Sequence, residues 1–73
     1  MDKEYFDKLE ILLKELEGKE KILDQQTTLL FNIHNYFYPK KMEYGKSCAG
    51  CRNRVYKRMI EFYNENKEKY NPN

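Results

Sequence analysis

A chain of 73 residues with 14 Lys and Arg, 12 Asp and Glu and a single His carries a net charge of +2, with 36% of its residues charged and a mean hydropathy of −1.05. The longest aliphatic run, Ile11-Leu12-Leu13, is far too short to span a bilayer, and Met1-Asp2-Lys3-Glu4 lacks the apolar stretch of an export leader, so a cytoplasmic protein with no membrane partner is expected. One domain is expected; a chain this short buries only about 60% of the surface that its unfolded form exposes and commonly leans on a metal, a disulfide or a partner subunit.

The first 24 residues hold eight acids and five lysines and have no proline. From Asp2, a plausible N-cap, to Phe37 the sequence reads as helix, with Glu4 and Asp7 complementing the helix dipole. Leu9, Leu16, Leu23, Leu30 and Phe37 recur every seven residues, while the companion seam of Phe6, Leu13, Glu20, Thr27 and His34 turns polar after Leu13. Two readings compete. A continuous helix over 2–37 would pair with another copy as a coiled coil, making a homo-oligomer through Leu9, Leu16, Leu23 and Leu30. Alternatively, Gly18 breaks the segment into a helical hairpin. Glu15-Leu16-Glu17 and Lys19-Glu20-Lys21 contain no turn residue, and a glycine inside a helix costs only about 1 kcal/mol relative to Ala, which favours the continuous helix.

Residues 38–47 form the next turn: Pro39 disfavours helix at Tyr38, and Gly45 permits a positive φ. A second amphipathic helix is predicted over 48–66, with Ser47 as its cap, Cys51, Val55, Met59 and Phe62 facing inward, and a frayed tail over 67–73. The fold class is therefore all-α. Its core or oligomer seam should comprise Leu9, Leu13, Leu16, Leu23, Leu30, Phe37, Val55, Met59 and Phe62.

Chemistry concentrates around Cys48-Ala49-Gly50-Cys51. A Cys-x-x-Cys turn supplies two zinc ligands, and His34 is the chain's only further His or Cys. One chain could thus offer Cys48, Cys51 and His34, with Glu43 or water completing the set, or two chains could pool their cysteines. Thiols at a helix start also ionise readily, which suits redox chemistry, but the βαβ scaffold of thioredoxin-type proteins is missing. The plain alternative has Cys51 packing beside Val55 and Cys48 partly exposed. Gly45-Lys46-Ser47 resembles the end of a phosphate-binding loop, yet Lys40 stands where that motif needs its first glycine. Nothing arranges a catalytic triad or carboxylate pair, so an enzyme is not expected.

The basic block carries the clearer functional signal. Residues 38–58 hold seven Lys and Arg against a lone Glu43. Lys46, Arg52, Arg54, Lys57 and Arg58 are predicted to contact nucleic acid, with Tyr36, Tyr38, Tyr44 and Tyr56 interleaved for stacking. Positive charge near a helix N-terminus opposes the dipole, which points to an anionic partner. The competing explanation pairs these cations with Glu10, Glu15, Glu17 and Glu20 of the first segment.

From Gly45 through Cys48, Cys51, Arg52, Arg54 and Val55 to Phe62-Tyr63, the chain resembles small uncharacterised tailed-phage proteins that carry a Gly, a Cys-x-x-Cys and a basic helix. The resemblance covers about residues 36–64 and assigns no activity. It implies a protein of the host cytoplasm, and its alternative to nucleic-acid binding is a protein–protein adaptor, inhibitor or virion component.

Overall fold

The structure is a computed structural model and describes residues 2–19 and 21–71. It is all-α: α1 spans Asp2–Leu16, α2 spans Asp24–Phe37 and α3 spans Ala49–Tyr70, each packing on the other two.

The continuous first helix is not formed; the break at Gly18 is. Gly18 takes φ +75°, the left-handed region that an L side chain enters at a cost of about 1–2 kcal/mol, and Lys19 N–H closes the turn on Leu16 O at 3.2 Å. The chain then re-enters helix at Leu23, whose N–H donates to the Gln26 side chain at 3.0 Å. A glycine that costs little inside a helix is worth more where it lets the helix stop. A Cβ on Gly18 would meet nothing within 4 Å, so the Gly18→Ala penalty is backbone alone. Thermal melts of Gly18→Ala should show a loss of about 1 kcal/mol without a change in chain number.

Breaking the helix folds its leucines inward. Leu9, Leu12 and Leu16 of α1 meet Leu30, Phe31 and Ile33 of α2 and Val55 and Met59 of α3. The expected homo-oligomer seam is therefore mostly spent on the chain's own core. Leu23, its central member, is 63% exposed because it caps α2 rather than lying within a helix. Leu13, Phe37 and Phe62 pack against the core half-buried. Phe6, Leu12, Phe31 and Ile33 are buried outside the expected core, since three-way packing covers more of each helix than a single seam does.

Cys48, not Ser47, caps α3: its Sγ accepts Cys51 N–H at 3.2 Å. The helix also runs through the expected frayed tail as far as Tyr70, with Pro72 and Asn73 outside the described residues. Tertiary contact holds that last turn. The Phe6 ring stacks on Tyr63 at 5.2 Å and on Tyr70 at 4.7 Å. Tyr63 OH donates to Glu10 at 2.6 Å, and Lys3 reaches Asn71 at 3.3 Å. Among the described residues no helix is long and apolar enough to cross a membrane.

Candidate functional site

The connection between α2 and α3 is pinned at Glu43. Asn35 Oδ1 accepts Glu43 N–H at 2.9 Å, and Asn35 Nδ2 donates to Glu43 O at 3.0 Å. So fixed, the Glu43 carboxylate takes a two-pronged ion pair from Arg54 at 2.9 and 3.0 Å and lies 4.0 Å from Arg58. Fork-on-carboxylate geometry is the strongest form of such a pair, and Arg54 holds the Glu43 carboxyl below the usual carboxylate range. Two arginines one turn apart, which would repel, thus share a carboxylate supplied by the loop.

His34 is fully buried beneath this group, and both ring nitrogens are engaged. Arg58 Nη1 lies 2.9 Å from Nε2 and can only donate, so Nε2 holds the lone pair and Nδ1–H donates to Asn35 Oδ1 at 2.8 Å. Burial, and then the Arg58 charge, push the imidazole below its ordinary pKa against the Asn35 hydrogen bond, which raises it. His34 has no lone pair free for a metal, and Glu43 is committed to arginine. Among the described residues no three His, Cys, Asp or Glu side chains gather to hold an ion. The single-chain zinc set of Cys48, Cys51 and His34 is therefore not assembled.

The two cysteines do come together. Both are free thiols, Cys48 exposed and Cys51 half-buried. The Cys51 thiol and N–H hold Cys48 below the ordinary thiol pKa, whereas hydrogen bonding to Cys48 and burial push Cys51 up. Gly45 lies against them. A Cβ there would stand 3.0 Å from Cys51 Sγ and 3.4 Å from Cys48 Cβ and would push the Cys51 thiol aside by a few tenths of an ångström, so close approach, not a positive φ, favours this glycine.

The five predicted cations divide. Arg58 is three-quarters buried, its guanidinium over the Tyr38 ring at 5.6 Å and bonded to His34; it is part of the framework. Arg54 is half exposed on α3 with its guanidinium oriented by Glu43. Lys57 is exposed on the same outer face, and Gly50, Asn53, Arg54, the edge of Arg58 and the exposed acid Glu61 line a shallow depression with it. Asn53 also borders a second depression that holds Arg52, Lys46, Lys21 and Asp24. There Arg52 Nη1 donates to Lys46 O at 2.9 Å, bracing the loop, and Tyr44 stands 73% exposed beside them. A continuous strip thus runs from Lys57 across the start of α3 to Lys21.

Among the described residues, the acids of the first segment offered as the competing partners do not cover this strip. Glu10 accepts from Tyr63 and Glu15 from Gln26; Glu20 lies outside the described residues. Among the described residues, Lys21, Lys46, Arg52 and Lys57 form no ion pair with a carboxylate. The tyrosines scatter as well. Tyr36 stacks on Tyr5 at 3.9 Å and is pushed up to about 12 by its hydrogen bond to Asp2, Tyr38 lies under Arg58, and Tyr56 lines the α1–α3 groove. Tyr44 alone of the four joins the strip. Gly50, Asn53 and Lys21 are strip residues that the sequence reading missed. Gly50 offered a signal: it occupies the first turn of a helix where no packing demands it. Comparison with known protein families, with curated proteins and with solved structures finds no match.

Proposed function

We propose that this chain is a small non-enzymatic nucleic-acid-binding module whose contact surface is the strip formed by Lys57, Arg54, Asn53, Arg52, Lys46 and Lys21. The observation that carries this reading is the continuity of that strip across the start of α3. Its cations come from three separate segments, and among the described residues Arg54 alone of them is paired with a carboxylate. Phosphate contacts from such a surface supply affinity without sequence information, and an exposed tyrosine beside them offers a stacking face for an unpaired base. Gly50 supports the same reading. A Cβ there would meet nothing within 4 Å, so the fold has no steric need for glycine, whereas a close-approaching phosphate backbone has.

Titration of labelled single- and double-stranded DNA and RNA at about 50 mM and about 200 mM salt tests the reading, because neutralising several phosphates makes affinity fall steeply with salt. Lys57→Gln and Lys46→Gln should each reduce the logarithmic salt slope by about one. Arg58→Ala is not a usable probe, since it dismantles the His34 contact. Gly50→Ala gives a sharper test. It should stabilise the chain by up to about 1 kcal/mol while weakening binding, a combination that simple damage to the fold does not produce. Absence of binding to every nucleic acid at the lower salt would overturn the proposal. A protein partner retained through nuclease treatment at the higher salt would favour the adaptor alternative.

A further inference from the structure

We propose that Cys48 and Cys51 form a dithiol that exchanges with small disulfides such as glutathione disulfide, with Cys48 as the attacking thiol and Cys51 as the resolving one. The inference does not depend on the nucleic-acid reading. It stands on how the turn is built.

Cys48 occupies the N-cap of α3 and is exposed, while Cys51, three residues on, is half-buried under Gly45. A Cβ on Gly45 would stand 3.2 Å from Cys51 Cβ and 3.4 Å from Cys48 Cβ, so the loop gathers both cysteine Cβ atoms about one point. Closing them to the roughly 3.5–4.5 Å of a disulfide takes a backbone adjustment at the cap. The side chains already converge. Cys48 Sγ lies 3.2 Å from the Cys51 amide nitrogen, and both side chains border the same point of the loop at Gly45. The cap hydrogen bond to Cys51 N–H gives a Cys48 thiolate a donor at the positive end of the dipole. Cys48 N–H donates to Gly45 O at 3.0 Å and Arg52 braces Lys46 O, so the loop holds the pair in place. A merely packed cysteine needs none of this, and an exposed one at a cap position is not packed. Zinc is the competing use of the same thiols, but among the described residues one chain gathers no third ligand beside them.

The exchange balances as two displacements. The Cys48 thiolate attacks one sulfur of the disulfide, forming a mixed disulfide and expelling one thiolate. Cys51 gives its proton to that thiolate and attacks the Cys48 sulfur. The Cys48–Cys51 bond forms, and the second thiolate leaves. The small disulfide is reduced by two electrons, and the dithiol is oxidised by two.

Intact-mass measurement of the full chain, reduced and then incubated with glutathione disulfide and quenched by alkylation, tests this. The wild-type chain should lose both alkylatable thiols together as an intramolecular disulfide that carries no glutathione, and dithiothreitol should restore them. Cys51→Ser should accumulate one glutathione on Cys48. Cys48→Ser should acquire its adduct at least about tenfold more slowly, because Cys51 is shielded and not the capped thiol. Circular dichroism of each variant separates this from unfolding. Two independent glutathione adducts on the wild type, equal rates in the two single variants, or thiols protected by zinc shared between two chains would each overturn the inference.

Discussion

Phe6→Ala should lower the unfolding free energy by about 3–5 kcal/mol, enough to leave a large fraction of a chain this size unfolded. Phe6 is fully buried although it lies one turn from the start of α1, and its ring is the surface on which Phe62, Tyr63 and Tyr70 settle. Removing it leaves a cavity and also frees the last turn of α3, which is tied to α1 through these rings. Leu23→Ala is the paired measurement. That side chain is largely exposed at the cap of α2, and its loss should change stability by no more than about 0.5 kcal/mol. Urea unfolding followed by circular dichroism reads both. Equal losses at Phe6 and Leu23 would restore the leucine seam and overturn the three-helix core.

The second large effect is at His34. His34→Phe keeps an aromatic ring in the cavity but removes the acceptor for Arg58 and the donor to Asn35. A hydrogen bond to a charged group contributes about 1.5–3 kcal/mol, and the Arg58 guanidinium would keep the Tyr38 ring at 5.6 Å and a Glu43 oxygen at 4.0 Å but lose its close hydrogen-bond partner. The same residue sets a pH dependence. Its folded pKa is depressed below 6.5, so as pH falls through 6.5 the unfolded chain takes up a proton that the folded chain refuses. Stability is therefore full above 6.5 and declines below it until the folded imidazole also protonates. Glu43 adds a second, more acidic limb: its folded carboxyl is depressed below 4.5, so its contribution is present above that pH and is lost as the folded carboxylate protonates. Unfolding midpoints measured across this range should show both limbs in the wild type. The upper limb should vanish in His34→Phe, and its persistence there would remove His34 as the cause.

Gly18 and the leucine spacing show where the sequence was ambiguous. Glycine is tolerated at one helical position for about 1 kcal/mol, and a leucine every seven residues fits either a two-chain seam or one chain folded on itself. Which holds depends on whether α3 is present to cover α1 and α2, which no local pattern records. The aromatic stacking of Phe6 on Tyr63 and Tyr70 and the length of α3 were hidden for the same reason. Glu43 illustrates the limit most sharply: a single carboxylate among seven cations reads as a minor correction to net charge, yet the Asn35 clamp aims it at Arg54 and Arg58. Arg58 is thereby withdrawn from the surface, and His34 is turned from a metal ligand into a buried neutral acceptor.

The all-α class, the turn between Pro39 and Cys48, the inward face of Val55 and Met59 and the segregation of charge were determined by the sequence itself, because each follows from residue type and local spacing. Tertiary structure alone decided which leucines are core, which cations remain free, and that Lys21 lies across the α3 start from Lys57. Those outcomes depend on contacts between residues far apart in the chain, where a side chain's role is set by what packs opposite it.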